Sequence, residues 1–229
     1  MSKGEPSREP HLAPGGNEPR LSRASVGRLS LYLRRLERFL SEGAATVSSG
    51  RLGESLAITD AQVRKDLAYL GSLGHPGVGY VTEELITAIR RLLGVDRRWS
   101  VALVGVGNLG RALLGYRGFA ERGFRVVALF DTDPSKVGTQ VEGLTIHGAD
   151  EIERVIPATG AELGLLAVPF EAAQVAADAL VAAGIRGLLN FAPVRVRVPP
   201  EVRLVAVDLT IQLEQLAFLV QANTSYGIE

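Results

Sequence analysis

The pattern of apolar and polar positions predicts helices in the first part of the chain. Over residues 22–43 the apolar side chains recur at helical spacing, and Gly43 is a suitable helix end. A second, short helix is predicted over residues 49–56, with Ser48 or Ser49 as its cap, and a third over residues 59–73. The apolar stripe of the first helix consists of Val26, Leu29, Leu33, Leu36 and Leu40.

The third predicted helix begins with a capping-box pattern. In the sequence TDAQ the hydroxyl of Thr59 can accept a free backbone N–H, and the side chain of Gln62 is expected to reach back to the helix start. The apolar residues on its inward side are Val63, Leu67 and Leu70. The residues left toward solvent are Gln62, Arg64, Lys65 and Tyr69.

A glycine-rich segment follows this helix. Residues 74–81 combine Gly74, Pro76, Gly77 and Gly79 with Tyr80, which predicts a tight β-hairpin. A further helix is predicted over residues 82–93 and a linker over residues 94–98. Helices followed by such a hairpin indicate a winged helix-turn-helix domain over residues 22–94.

From Trp99 onward, buried strands alternate with helices. This alternation predicts a parallel, doubly wound α/β sheet of the Rossmann type over residues 95–207. The predicted strands cover residues 100–105, 124–130, 163–168, 187–189 and 203–207. The predicted helices cover residues 108–119, 149–155 and 171–183.

Composition excludes several classes of protein. Residues 1–21 are rich in proline, glycine and charge and have no apolar segment, which predicts a disordered tail rather than a secretory signal. No run of apolar residues is long enough to cross a membrane, so a cytoplasmic protein is expected. The chain has 0 cysteines, which excludes disulfides, thiolate zinc sites and redox-active thiols, and no metal site is predicted. Any redox sensing therefore requires a bound cofactor.

The charge is distributed unevenly, which favours nucleic-acid binding by the first part of the chain. Residues 1–98 hold 15 basic and 11 acidic residues, and residues 99–229 hold 10 and 14. The third helix is expected to enter a major groove and the hairpin to contact phosphates or a minor groove. The alternative is an ordinary solvated helix face. The candidate DNA-binding residues are Thr59, Gln62, Arg64, Lys65, Tyr69, Gly77, Gly79 and Tyr80.

A GxGxxG motif follows the first strand of the predicted sheet. Gly105 permits a tight turn, Gly107 lets the backbone approach a pyrophosphate, and Gly110 lets the helix pack on the strand. Asp131 lies 21 residues beyond Gly110 and can accept both ribose hydroxyls, which favours NAD(H) over NADP(H) although Lys136 is nearby. The alternative is a Rossmann scaffold without a ligand. The motif also includes Val106, Asn108 and Leu109.

The nicotinamide end of this predicted site is apolar. None of the histidines suits a proton donor: His11 lies in the tail, His75 in the hairpin, and His147 in a predicted loop. An apolar pocket suits the neutral reduced ring better than the cationic oxidised ring, which favours discrimination between redox states. A small NAD-dependent oxidoreductase is the alternative, but acid–base groups and a substrate domain are missing. The remaining candidate cofactor contacts are Thr132, Val168, Pro169, Asn190 and Phe191.

The last predicted helix is more apolar than one surface helix requires. It begins at Leu209 within the sequence DLTIQLEQLAFLVQA, and it belongs to a dimerisation segment over residues 208–229 or to the core of its own subunit. Its large apolar residues are Ile211, Leu213, Leu216, Phe218, Leu219 and Val220.

Long stretches of the chain resemble the Rex family of bacterial redox-sensing repressors, from residue 22 to about residue 222. They include RLSLYLRRLERF, LGESLAITDAQVRKDLAYLGSLGHPGVGY, VALVGVGNLGRALLGYRGF, LFDTDPSKVG, AVPFEAAQVAADALVAAGIRGLLNFAPV and VPPEVRLVAVDL. The resemblance implies a homodimer that binds an inverted-repeat operator and that NADH, but not NAD+, releases from DNA. It also implies that the C-terminal helix is swapped onto the partner, against the partner's DNA-binding domain.

The resemblance further implies a switch that joins the two domains. Its residues are Arg34 of the YLR element, Tyr116, which closes the helix after the glycine turn, and Asp208 of the VDL element. The sequence is therefore interpreted as a transcriptional repressor that senses the NADH/NAD+ ratio, and not as an enzyme. A CoA-binding-like or other nucleotide-binding subunit is a third interpretation, against which Asp131 and the DNA-binding half argue.

Overall fold

The computed structural model describes residues 21–225, and the side chains of residues 21–222. The tail predicted over residues 1–21 therefore falls outside the described residues except for Leu21. The chain divides into two compact units, one ending at Gly94 and the other beginning at Val95.

The first unit combines four helices with a small antiparallel sheet, among the residues described. The strands lie in the order β1-β3-β2, so that the hairpin of β2 and β3 is extended by β1, which the sequence pattern missed because it is only two residues long. The helices are α1 (Arg23–Ser41), α2 (Ser49–Glu54), α3 (Asp60–Leu67) and α4 (Thr82–Leu93). The strands are β1 (Thr46–Val47), β2 (Gly74–His75) and β3 (Gly79–Val81).

Helix α1 has the predicted ends, and Leu29, Leu33 and Leu36 of its predicted apolar stripe are buried. The hydroxyl of Ser22 accepts the backbone N–H of Ser25, and Gly43 beyond the helix adopts a left-handed φ of 85°. Val26, which was assigned to the apolar stripe, is 40% exposed. Tyr32 and Phe39, which the predicted stripe did not include, are also buried. The buried apolar residues of α1 are Leu29, Tyr32, Leu33, Leu36 and Phe39.

Helix α3 is shorter than predicted, and its capping box is incomplete. The hydroxyl of Thr59 accepts the backbone N–H of Gln62 as expected. The side chain of Gln62 does not return to the helix start, because it donates to the buried carboxylate of Asp66. After Leu67 the chain tightens into a 3-10 turn over Ala68–Leu70.

The second unit is built on a seven-stranded sheet in the order β10-β9-β8-β4-β5-β7-β6. All neighbouring strands are parallel except β6, which pairs antiparallel with β7. The chain runs outward from β4 in both directions, which places a topological switch point between β4 and β8. The strands are β4 (Trp99–Val104), β5 (Phe124–Asp131), β6 (Gln140–Val141), β7 (Leu144–Gly148), β8 (Leu163–Leu166), β9 (Gly187–Asn190) and β10 (Arg203–Ala206).

Helices cover the two faces of this sheet unequally. Helices α7 (Ile152–Thr159) and α8 (Phe170–Ala182) contribute to the larger core, with Phe130 and Leu166 from the strands. The opposite face packs against α5 (Asn108–Leu114) and α6 (Arg117–Glu121). Over β8, β9 and β10 this second face carries an apolar cavity of about 440 Å³.

Two predicted helices of the second unit have different bounds. The helix predicted over residues 108–119 is broken between α5 and α6, where Gly115 favours helix poorly and Tyr116 has an extended backbone. The helix predicted over residues 149–155 begins as a 3-10 turn and continues as α7 to Thr159. The last helix, α9, spans Leu209–Ser225. Within residues 21–225, no helix has both the length and the apolar character that a bilayer crossing requires.

Candidate dinucleotide site and nucleic-acid interface

The turn after β4 lies at the switch point of the sheet, and it requires glycine for two separate reasons. Gly105 has a φ of 93°, and a Cβ added there would lie 2.4 Å from the carbonyl oxygen of Ala167, which follows β8. A Cβ on Gly110 would lie within 2 Å of the Gly105 carbonyl oxygen, where α5 packs against the turn. Both glycines are therefore required by close backbone packing.

Gly107 differs from these two glycines. A Cβ added to it would meet no described atom within 4 Å, so the fold itself does not require glycine at this position. The residue caps α5, at the end where the first backbone N–H groups have no partner inside the helix. Asn108 and Leu109, beside it, are exposed. The open space in front of Gly107 fits the close approach of a phosphate group.

Asp131, at the end of β5, holds this turn in place. Its side chain is 9% exposed, and Oδ2 accepts the backbone N–H of the buried Val106 at 2.8 Å. Oδ1 accepts the backbone N–H of Asp133 at 2.9 Å. The carboxylate was predicted to face a ribose, and the structure adds that it ties the glycine turn after β4 to the end of the neighbouring strand β5.

Lys136 is the third partner of Asp131, and its role was not predicted. Its Nζ lies 3.0 Å from Asp131 Oδ2 and 3.5 Å from Asp133 Oδ2. Burial alone would raise the pKa of Asp131, but the two backbone N–H groups and Lys136 outweigh burial, so this pKa is lowered. The hydrogen bond to Asp131 raises the pKa of Lys136. At neutral pH the pair is therefore charged.

A cavity of about 420 Å³ lies beside this carboxylate, at the carboxyl ends of β5 and β7. Thr132 is exposed at its edge. The cavity has the size of a small-molecule subsite. Its lining residues are Asp131, Thr132, Pro134, Val137, Gly148, Ala149 and Asp150.

The residues predicted to line the nicotinamide end follow β8 and β9, on the other side of β4. Val168 and Phe191 are half-buried, and Pro169 is exposed. Asn190 is fully buried, and its amide bonds to the backbone of Ala192 and Val194. The amide of Asn190 therefore shapes this loop, which leaves apolar groups as the exposed surface.

His147 is not in a loop, as the sequence interpretation had it. It lies in β7, packs near Phe130 with ring centroids 6.1 Å apart, and has Nδ1 3.5 Å from Glu151 Oε2. In the strand order, β7 and β8 lie on opposite sides of β4 and β5. His147 is therefore remote from the loops after β8 and β9, where a hydride-transfer enzyme would need its acid or base. Among the described residues, no cluster of side chains could hold a metal ion.

Helix α3 presents two of its predicted contact residues to solvent. Arg64 and Lys65 are exposed, and Arg64 Nη1 pairs with Asp60 Oδ2 at 2.6 Å and with Ser49 Oγ at 3.2 Å. Gln62 is half-buried. Tyr69 is also half-buried, and it lies in the 3-10 turn rather than in α3.

Asp66 is the residue of α3 that the sequence interpretation missed. Its side chain is 1% exposed and pairs with Arg28 of α1, with Nε–Oδ2 at 2.6 Å and Nη2–Oδ1 at 2.7 Å. The hydroxyl of Tyr32 donates to Oδ2 at 2.9 Å, and Gln62 Nε2 donates to Oδ1 at 3.1 Å. The interruption of the apolar pattern between Val63 and Leu67 does not identify these partners, two of which come from another helix.

The hairpin of β2 and β3 forms the predicted wing. Gly77, in its turn, has a φ of 77° and open space around it. Gly79 has an internal reason to be glycine, because a Cβ there would lie 2.5 Å from the Val47 carbonyl oxygen on β1. The half-buried Tyr80 covers Gly74 across the hairpin.

Comparisons with known proteins agree with this division. The model of a putative DNA-binding protein N-terminus matches residues 20–68, and the model of a CoA binding domain matches residues 96–194. The redox-sensing transcriptional repressor Rex of Desulfitobacterium hafniense is 47% identical over 199 residues, covering 87% of this chain and 95% of the relative. The Rex repressor of Streptomyces avermitilis is 48% identical over 195 residues, covering 85% of this chain and 77% of the relative.

This chain belongs to the Rex family. Among solved structures it is similar to RSP, a Rex-family repressor, in complex with NAD+ and operator DNA, with a TM-score of 0.87, 32% identity, and coverage of 92% of this chain and 97% of the other. The RSP complex with NADH has a TM-score of 0.82 and 31% identity, covering 92% and 99% of the two chains.

Family membership confirms the resemblance and the two-part fold class of winged helix and Rossmann sheet. Rex-family proteins are transcriptional repressors, so the interpretation as an NAD-dependent oxidoreductase is set aside. The match to a CoA binding domain covers only the Rossmann part, whereas the Rex relatives match across both units.

The three residues that the resemblance assigned to a switch lie at exposed or half-buried positions of this chain. Arg34 is exposed on α1 in the first unit. In the second unit, Tyr116 is 58% exposed between α5 and α6 and stacks edge-on against Phe119. Asp208 is half-buried, and its Oδ1 accepts the backbone N–H of Thr210 at the start of α9.

Proposed function

We propose that this chain is a cytoplasmic, homodimeric repressor that binds an inverted-repeat operator and is released from it by NADH. Residues 22–94 bind DNA, residues 95–207 bind NAD(H), and residues 208–229 form a swapped dimerisation helix. The observation that carries the proposal is the glycine turn closed by Asp131 in a chain whose other unit is a winged helix. The similar RSP protein was determined with NAD+ and operator DNA and with NADH.

Cofactor binding is supported by the turn after β4. The backbone N–H groups beside Gly107 would receive the pyrophosphate, and Asp131 would receive the ribose hydroxyls by exchanging its bond to Lys136. Thr132 and the adjoining cavity would hold the adenosine half. The full proposed set is Gly105, Val106, Gly107, Asn108, Leu109, Gly110, Asp131, Thr132, Val168, Pro169, Asn190 and Phe191.

Sensing rather than catalysis is supported by the loops after β8 and β9. Val168 and Phe191 offer apolar surface there, and the amide of Asn190 is already bonded to the backbone. An apolar surface favours the neutral dihydronicotinamide over the cationic nicotinamide, since burying an unpaired charge is costly. Preference for NADH then requires no proton transfer.

DNA binding is supported by the exposed part of α3. Arg64 and Lys65 are exposed on it, and the guanidinium of Arg64 needs only to exchange Asp60 for a guanine edge or a phosphate. Thr59, Gln62 and Tyr69 flank them. The wing residues Gly77, Gly79 and Tyr80 would approach the backbone of the duplex.

The dimer is supported by an exposed apolar helix and an open apolar groove on the same unit. The large apolar side chains of α9 from Ile211 to Val220 are 46–65% exposed, and they occupy every side of the helix. A helix of this kind is stable when it is buried. The groove over β8, β9 and β10 is lined by Leu163, Leu189 and Val205, among others. A second copy of the chain would supply the helix that covers this apolar surface.

The switch is proposed to use Arg34, Tyr116 and Asp208. An arginine on the DNA-binding unit, a carboxylate at the base of the swapped helix and a tyrosine after α5 can form mutually exclusive pairs. NADH must bind the DNA-free arrangement more tightly than the DNA-bound one for the switch to act. Asp208 Oδ1 accepts the backbone N–H of Thr210 at the start of α9. A new partner for Asp208 would therefore change the beginning of α9 directly.

The decisive experiment measures operator binding while each nucleotide is titrated separately. A duplex selected by the full chain from a random library is labelled, and its fluorescence anisotropy is followed with NADH, NAD+ and NADPH. NADH is expected to release the duplex, NAD+ to compete with NADH without releasing it, and NADPH to act weakly. NADH that leaves operator affinity unchanged would contradict the proposal.

Two controls sharpen this measurement. Trp99 is the sole tryptophan of the chain, so energy transfer from it to NADH reports cofactor binding without DNA. By linkage, operator duplex should weaken NADH binding by the same factor that NADH weakens operator binding. Asp208→Ala should keep this energy transfer but lose the release of DNA, and light scattering of the full chain tests the dimer.

A further inference from the structure

The carboxylate of Asp66 accepts hydrogen bonds from three side chains. Arg28 contacts both oxygens, Tyr32 contacts Oδ2 and Gln62 contacts Oδ1, so four donors lie within 2.6–3.1 Å. A carboxylate has about four lone-pair positions, and here all of them are used. Arg28 and Tyr32 belong to α1, whereas Gln62 precedes Asp66 by one turn of α3.

This arrangement determines which end of the Gln62 amide faces Asp66. A carboxylate accepts hydrogen bonds and donates none, so only Nε2 of the amide can face it. If the amide were flipped, Oε1 would lie against a negatively charged oxygen. Outside the pair, Gln62 therefore presents Oε1 and its second N–H in one fixed order. No other described group bonds to Oε1.

We propose that Asp66 is a positioning residue for base recognition, which fixes the order of acceptor and donor that Gln62 presents to operator DNA. A glutamine that pairs with adenine uses both amide groups at once, so a reversed amide would oppose donor to donor and acceptor to acceptor. The proposal rests on the proposed DNA-binding function and adds a residue that touches no base. Asp66 is 1% exposed, so it can act on DNA only through its partners, of which Gln62 is the one on α3.

The other hydrogen bonds of the network hold the Asp66 carboxylate in one position and in its ionised form. Burial alone would raise the pKa of Asp66, but the hydrogen bonds from Arg28, Tyr32 and Gln62 outweigh it and lower this pKa. The carboxylate is therefore ionised whenever the protein binds DNA near neutral pH. The full exclusion of Tyr32 from solvent leaves its hydroxyl little freedom to change partner.

The test compares base preference in full-length variants. The wild-type chain selects duplexes from a random library, and the affinity of each single-base variant of the resulting half-site is then measured. Gln62→Ala should flatten preference at one base pair, where a bidentate contact is expected to give roughly tenfold discrimination or more. Asp66→Asn keeps the shape but lets the side-chain amide at position 66 present either end, so it should flatten preference at the same base pair to within about twofold. The double variant should show no further loss.

A purely structural role predicts a different result. If Asp66→Asn only lowered the folded fraction, every duplex would bind more weakly by the same factor, and the ratios between bases would be unchanged. That result would overturn the proposal, as would Gln62→Ala leaving every preference intact. A wild-type chain that enriches no sequence would instead refute the proposed DNA-binding function.

Two further variants keep the test interpretable. Asp60→Asn makes the same change on an exposed residue of α3, and any effect should appear only at the position that Arg64 contacts. Tyr32→Phe removes one donor to Asp66 and retains the charge. Because the carboxylate that remains still only accepts hydrogen bonds, Tyr32→Phe should leave preference at the Gln62 base pair unchanged, and a lost preference would overturn the proposal. The folded fraction cancels from the ratios between bases, so an Asp66→Asn chain that is partly unfolded, judged by circular dichroism, still tests the proposal, and unchanged ratios would overturn it.

Discussion

Asp66 in the winged helix and Asp131 in the Rossmann unit are both buried carboxylates, but their donors differ. Asp66 accepts only from side chains, and two of its three partners lie on α1, more than 30 positions earlier in the chain. Asp131 accepts from the backbone N–H groups of Val106 and Asp133 and from one side chain, that of Lys136.

We call the network around Asp66 closed, because all its partners lie within the protein and fill the carboxylate. The network around Asp131 is exchangeable, because a ligand can replace one partner. The three partners of Asp66 use all the lone-pair positions of its carboxylate, so this network holds its side chains in place. Asp131 borders a cavity of about 420 Å³, and its lysine partner is 27% exposed. A ligand hydroxyl can therefore replace the lysine at Asp131 while the backbone bonds keep the glycine turn closed.

The largest effect is expected from Asp66→Ala, which would leave Arg28 and the Tyr32 hydroxyl without their acceptor. Breaking a buried ion pair by removing one partner destabilises a protein by about 3 kcal/mol or more. We expect a loss near the lower end, because the Arg28 side chain is 25% exposed and can be solvated. Hydrogen exchange of the backbone amides in α1 and α3 measures it.

Asp60→Ala is the matched control for this change, because its pair with Arg64 is about half exposed. It should leave exchange in α1 unchanged. Equal rates of backbone amide hydrogen exchange in α1 of the Asp66→Ala and Asp60→Ala variants would contradict the conclusion that the network around Asp66 is closed.

Asp131→Ala is expected to have the next largest effect, on cofactor binding. The glycine turn loses its tie to β5 and the ribose loses its acceptor, so NADH affinity should fall by about tenfold to a hundredfold, equivalent to a few hydrogen bonds. Energy transfer from Trp99 to NADH measures this loss. The change should leave operator affinity in the absence of NADH intact. If operator affinity fell together with NADH affinity, the two units would not be structurally independent.

Acid should weaken both networks. The pKa of Asp66 and that of Asp131 are each lowered in the folded protein, so both carboxylates stabilise the fold above the unfolded value of about 4. This contribution is lost as the pH falls from there through the lower, folded pKa. Urea unfolding between pH 6 and pH 3 should show the wild-type chain losing more stability than Asp66→Asn, which has no charge to lose. If the free energy of unfolding fell equally with pH in the wild-type chain and in Asp66→Asn, Asp66 would not be ionised in the folded protein.

The smallest effect is expected from Lys136→Ala. The lysine partly neutralises Asp131, so its removal should make the site more repulsive to the 2′-phosphate of NADPH. Because the pair is only partly buried, the preference for NADH over NADPH should rise by less than about tenfold. Competition between the two nucleotides measures the ratio, and a lower ratio would mean that Lys136 binds the ribose side directly.

The two aspartates also show which site residues could be predicted from the sequence and which could not. Asp131 was predictable because its spacing from the glycine motif is a property of one strand–helix–strand unit, which folds locally. Asp66 lies in a recognisable helix, but nothing in that helix indicates that Arg28 and Tyr32 will meet it. The capping-box prediction for Gln62 failed for a related reason, because its side chain donates to Asp66 one turn later in α3, a carboxylate that Arg28 and Tyr32 of α1 hold in place.

Periodicity, glycine placement and charge were sufficient to determine the winged helix, the parallel sheet and the glycine turn, because each depends on residues that are close in the chain. Only the tertiary structure decided that Gly79 is required by packing against β1 and that Asp66 joins α1 to α3. The physical reason is that such contacts depend on how distant segments are brought together, and short-range patterns carry no information about those distances.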